Sequence, residues 1–77
     1  MLNEIDIHGM RVLEASAMID HYLATLPKGI HEVSVVHGYR GGTALQTFIR
    51  KQYHHPRLLR KMMSMNPGET ILVLKDK

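Results

Sequence analysis

The sequence predicts an α/β sandwich of two layers, ordered β-α-β-α-β-β, with a mixed four-stranded sheet against two helices. Three observations carry this expectation. Two short strand patterns, Glu4 to His8 and Glu32 to His37, each run into a glycine and are each followed by a helical pattern. The two connections that carry these helical patterns exceed a dozen residues, which suits the right-handed helical crossovers that parallel strands require. The C-terminal part then holds two further strand candidates around the turn sequence Asn66-Pro67-Gly68-Glu69, adding a hairpin and with it one antiparallel strand.

Each element has its own local reason. Glu4-Ile5-Asp6-Ile7-His8 alternates strictly, so Ile5 and Ile7 share one face while Glu4, Asp6 and His8 share the other. From Val12 to Leu26, the apolar residues Val12, Ala15, Ile19, Tyr22, Leu23 and Leu26 recur at helical spacing, and Pro27-Lys28-Gly29 ends the run. Glu14 suits the positive first turn of that helix, although Arg11 is a poor cap by residue type. Val33, Val35 and Val36 give the second strand its β-branched residues. Thr43 and Gln46 form a capping-box pattern, opening a second helix to about Tyr53 with Leu45, Phe48, Ile49 and Tyr53 inward. His54-His55-Pro56 stops it. Leu58 to Met65 is the third strand, and the near-continuous apolar run Thr70 to Lys75 reads as a fourth strand buried on both faces.

Bulk properties set the class. A chain of 77 residues is expected to form one domain, residues 1–77, with a single small core. At this size, folding hides only roughly 60% of the surface of the unfolded chain. There is no cysteine, which excludes disulfides and cysteine zinc sites. The six methionines read as gap-filling core, and His54-His55 as a solvated helix end. No signal sequence is recognisable, and no apolar run approaches the ~20 residues needed to cross a bilayer. A cytoplasmic protein, monomeric by default, is expected.

The net charge of +3 is unevenly spread. No acidic residue lies between Glu32 and Glu69, while Arg40, Arg50, Lys51, Arg57, Arg60 and Lys61 all do. Such a run is either a solvated basic face or a polyanion footprint, since clustered cations gain affinity by releasing counterions from phosphates. If the first two strands are parallel, both His-Gly pairs emerge at one sheet edge, where ligands of open α/β sheets bind. Gly9 and Gly38 allow the sharp turns this requires. At the same edge Gly41-Gly42-Thr43 opens the second helix, whose free amides favour an anion, and Arg40 supplies a forked donor. His8 and His37 have a plainer alternative, in which each merely bonds a loop carbonyl.

These residues resemble the Smr (small MutS-related) domain family, over nearly the whole chain from Glu4 to Lys75. The family motif L-D-x-H-G is matched by Ile5-Asp6-Ile7-His8-Gly9, with isoleucine for leucine. The motif H-G-x-G-x-G is met by His37-Gly38-Tyr39-Arg40-Gly41-Gly42, with Arg40 in place of the middle glycine and Leu45 one place later than usual. A glycine turn before a last apolar strand corresponds to Pro67-Gly68 and Thr70 to Leu74. The resemblance is to a short, stand-alone member. It implies a fold like the C-terminal domain of translation initiation factor three, nucleic-acid binding, and, as for some members, nicking or endonuclease activity on DNA or RNA.

The expected catalytic residues are Asp6, His8 and His37, with Asp6 orienting His8 and the two histidines dividing proton acceptance and donation. The expected nucleic-acid contacts are Gly9, Arg11, Gly38, Tyr39, Arg40, Gly41, Gly42, Thr43, Arg50, Arg57 and Lys61. No cofactor is required; a Mg²⁺ ion on Asp6 and the phosphate is the alternative route. The rivals are a binding module without catalysis and a basic domain that meets an acidic protein. Tyr39 is the one aromatic placed for base stacking, which favours backbone or shape recognition.

Overall fold

The computed structural model describes residues 3–39 and 43–76. The chain runs β1 (Asn3–Asp6), α1 (Val12–Thr25), β2 (Glu32–Val36), α2 (Ala44–Thr47, continued as a π-helical turn over Phe48–Gln52), β3 (Leu58–Met63) and β4 (Glu69–Leu74). The sheet order is β1-β2-β4-β3. β1 and β2 are parallel, with Ile5 opposite Val35 and Asp6 opposite Val36. β4 is antiparallel to both its neighbours, pairing Thr70 with Val35 and Ile71 with Met62. Thus β4 is the one strand that opposes the rest, and the second crossover passes over it to reach β3. This is the predicted α/β sandwich with a mixed four-stranded sheet and two helices.

The alternation read in β1 holds: Ile5 and Ile7 are buried while Glu4, Asp6 and His8 are exposed. In α1 the buried residues are Ala15, Ile19 and Leu23, with Leu26 buried just beyond and Val12 and Tyr22 packed at the margin. Arg11 caps α1 by its backbone alone. A guanidinium has no acceptor, and only the returning half of a capping box forms, Arg11 N donating to Glu14 Oε1 at 3.2 Å.

The second helix departs from its predicted cap. Thr43 makes no side-chain cap bond. Gln46 instead donates from Nε2 to the Pro67 carbonyl at 3.1 Å, tying α2 to the β3–β4 turn. Leu45, Ile49 and Tyr53 face inward as expected. The final turn widens, Tyr53 N donating to Phe48 O at 2.8 Å. Tyr53 Oη then donates to Asp20 Oδ1 at 2.7 Å, crossing to α1. Burial and the Asp20 carboxylate together hold this phenol protonated far above the ordinary tyrosine range.

Two further expectations are corrected. β4 is not buried on both faces: Thr70, Leu72 and Leu74 are buried, whereas Ile71 and Val73 are half-covered. Both helices lie on one side, so the run is apolar without being enclosed. Arg57, expected to meet nucleic acid, is 4% exposed and points into the protein. Its Nη1 donates to Leu23 O and Leu26 O at 2.8 Å each, and its Nε to Lys75 O at 3.2 Å. It satisfies carbonyls left open at the C-terminus of α1, at the sheet edge opposite the His-Gly pairs. Arg57→Met should therefore cost about 2–3 kcal/mol, the loss expected for charge-assisted bonds to buried carbonyls, measured as a lower urea midpoint with an unchanged slope.

Candidate nucleic-acid interface

Because β1 and β2 are parallel neighbours, their two His-Gly exits meet at one edge. Ile7 N donates to Val36 O at 2.9 Å, pairing the strands up to the exit, and Met10 N donates back to Ile7 O at 3.1 Å to close the turn. Gly9 and Gly38 have φ of 79° and 76°, left-handed conformations that a side chain would strain. The exits also abut: a Cβ on Gly38 would lie 3.8 Å from the Cβ of His8.

The two histidines occupy opposite environments. The His8 side chain is 72% exposed and that of Asp6 is 56% exposed. Asp6 Oδ1 accepts both from His8 Nδ1 at 2.8 Å and from the His8 backbone N at 3.0 Å. An ionised carboxylate only accepts, so Nδ1 of His8 carries a proton, and in the neutral ring Nε2 keeps its lone pair. The hydrogen bond from the His8 ring, reinforced by its backbone N–H, holds the Asp6 carboxyl below the usual carboxylate range.

His37 is 5% exposed and both of its nitrogens are engaged. Nδ1 lies 2.7 Å from Gly38 O, which can only accept, so Nδ1 carries the proton. In the neutral ring Nε2, 2.8 Å from Thr70 Oγ1, then accepts the threonine proton. Thr70 Oγ1 in turn accepts from Arg50 Nε at 2.9 Å. The sequence Arg50, Thr70, His37, Gly38 is one directed hydrogen-bond relay beneath the site. Arg50 also reaches the Pro67 and Glu69 carbonyls through Nη2, at 3.5 and 3.3 Å.

The β3–β4 turn completes the edge. Gly68 O accepts from His37 N and from Gly38 N, each at 2.9 Å. Asn66 Oδ1 accepts from Gly68 N at 2.8 Å and shapes the turn. Between these loops lies a groove of about 460 Å³, lined by His8, Gly9, Val36, His37, Gly38, Tyr39, Asn66 and Gly68.

The expected contact residues divide accordingly. His8, Gly9, His37, Gly38 and Tyr39 line the groove, while Asp6 stands behind His8. Arg11 and Thr43 are exposed at the heads of α1 and α2. Arg50 is part of the relay rather than an unengaged cation. Lys61 lies opposite Leu72 on the helix-covered face of β3, where burial lowers its pKa. Arg57 lies at the far edge, as described. Arg40, Gly41 and Gly42 lie outside the described residues. Arg50, Arg57 and Lys61 of the basic run thus do not share one face. Among the described residues no three metal-ligating side chains converge, and Asp6 offers a Mg²⁺ ion only its second carboxylate oxygen. Val36, Asn66, Gly68 and Thr70 belong to the site but were read from the sequence only as strand or turn.

The family model of the Smr domain matches residues 5–70. The chain belongs to the Smr domain family. It is similar to the Smr domain of Thermus thermophilus MutS2, known from a crystal structure: 25% identity, 96% of this chain and 99% of that chain covered, and a TM-score of 0.78. No curated protein matches the sequence.

If the relay is as drawn, long-range ¹⁵N–¹H spectra should show His37 as the Nδ1–H tautomer. Thr70→Val should leave both His37 Nε2 and Arg50 Nε without their partner, costing about 1–3 kcal/mol in chemical denaturation.

Proposed function

We propose that this Smr domain binds nucleic acid at the His-Gly edge and cleaves its phosphodiester backbone, with His8 as the general base. The Asp6–His8 pair carries the proposal. A histidine oriented through Nδ1 by an ionised carboxylate, with Nε2 open beside a groove, is arranged to remove a proton from an attacking hydroxyl. The family's general association with nucleic acid supports the choice of polymer.

In the proposed step, the oxygen of a water, or of a ribose 2′-hydroxyl in RNA, bonds to phosphorus as its proton passes to His8 Nε2. The bond from phosphorus to the leaving oxygen breaks, and that oxygen is protonated from solvent. Asp6 keeps the imidazolium oriented and offsets its charge, the role of a carboxylate behind a catalytic histidine. His37 is reassigned: with both nitrogens engaged in the fold, it positions the Gly38 loop rather than exchanging protons. Arg11, exposed beside the first exit, is a backbone phosphate contact. If Mg²⁺ takes part, Asp6 would be the residue to hold it, and the ion would supply polarisation of the phosphoryl group.

Purified protein and an identically prepared His8→Ala variant should be incubated with supercoiled plasmid and labelled structured RNA, with and without Mg²⁺. Wild type should cleave and His8→Ala should fall by about 10²–10⁴-fold, the usual worth of acid–base catalysis, while retaining affinity. Equal cleavage by both proteins would remove His8 from the chemistry, and its absence in both would leave a binding module. Arg11→Ala should reduce the slope of log affinity against log salt by about one, as for the loss of one phosphate contact.

A further inference from the structure

Among its described residues, the groove beside His8 is lined unlike a site for backbone phosphate alone. Its described lining is His8, Gly9, Val36, His37, Gly38, Tyr39, Asn66 and Gly68, with no lysine or arginine among them, and Tyr39 is 45% exposed. A phosphate selects amides and cations; an apolar slot floored by glycines admits a flat ring. The floor is close-fitting: a Cβ at Gly68 would approach both Asn66 Oδ1 and Gly38 Cα to 3.3 Å, and Tyr39 Cδ1 to 3.5 Å. Asn66 adds a polar group of fixed sense. Its Oδ1 is taken by Gly68 N, which sets the amide orientation and leaves the NH₂ as a donor without a partner among the described residues. The volume, about 460 Å³, is within the range of small-ligand sites.

We infer that this groove receives a single unstacked nucleobase, held against the Tyr39 ring over the Gly38–Gly68 floor and offering a ring nitrogen or carbonyl acceptor to the Asn66 NH₂. The inference rests on the reading of this edge as a nucleic-acid site and narrows its substrate to strands with at least one unpaired nucleotide: single strands, loops, flaps and junctions. The base would serve as an anchor, because His8 lines the same groove and the phosphate joined to an anchored nucleoside is thereby brought to Nε2. One exposed aromatic suffices for one base, so the chain needs no broad stacking platform.

The test compares two fluorescein-labelled octanucleotides with the same backbone, octathymidylate and an all-abasic strand, by anisotropy at a single salt concentration. Wild type should bind the thymidine strand about five- to a hundredfold more tightly, the range that one base–aromatic contact supplies. Tyr39→Leu should lower affinity for that strand more than for the abasic strand, and Asn66→Ser should shrink the difference in the same way. Equal affinity of wild type for the two strands would overturn the base site and leave backbone binding standing. Failure to bind either strand would overturn both. Since the decisive comparison varies the ligand and not the protein, it holds even if a variant proves unstable.

Discussion

The carbonyl of Gly68 accepting from both His37 N and Gly38 N, with the Arg50–Thr70–His37–Gly38 relay beneath it, is the constraint on which the functional edge depends. Strand exits at a sheet edge are ordinarily mobile loops. Here the exit of β2 is bound to the entry of β4 by paired amides, and Arg50 from the second helical segment reaches under both. Three parts of the chain distant in sequence are thereby locked in one geometry. Each member of the relay depends on the next, because the carbonyl of Gly38 fixes the tautomer of His37 and that tautomer fixes the direction of the Thr70 hydroxyl. The buried polar groups are satisfied only as a set, so the arrangement specifies a position as well as stabilising it.

With that floor fixed, the neighbouring His8 can remain exposed and still be oriented. Its tether among the described residues is Asp6, two residues away on the same face of the same strand. The division between the two His-Gly units is therefore physical. β1 is an edge strand, and its exit faces solvent. β2 is interior, and its exit lies under the hairpin. A repeated motif thus yields one histidine suited to proton transfer and another suited to holding the loop beside it.

Much of the architecture was legible because it follows from periodicity. The alternation around Ile5 and Ile7, the stripe from Val12 to Leu26 and the break at His55-Pro56 each depend on near neighbours in the chain. The adjacency of Asp6 and His8 was readable for the same reason. Strand order was not readable, and what was missed at the site follows from that. Asn66-Pro67-Gly68 declares a turn, but only the insertion of β4 between β2 and β3 brings that turn against His37. The same gap made Arg50 and Arg57 resemble free cations: nothing local indicates that one will reach Thr70 and the other the carbonyls of Leu23 and Leu26. Gln46 was likewise read as a helix cap because its actual acceptor, Pro67 O, lies 21 residues away. Gly41 and Gly42 of the second motif lie outside the described residues.

The placement of β4 also bears on how the protein is made. The fourth strand, made after the other three, occupies the interior of the sheet, paired on both sides, while the first forms an edge. Until residues 69–74 are available, β2 lacks one neighbour and β3 lacks the only one it has. A nascent chain can form β1, α1 and β2 as a local unit, but the groove, the relay and the seat of Arg57 must await the C-terminal segment. Assembly of the His-Gly edge is thus expected to be a late, all-or-none event, dominated by contacts of long sequence separation. During synthesis, the exposed edge of β2 and the unpaired β3 would be the surfaces most open to mispairing.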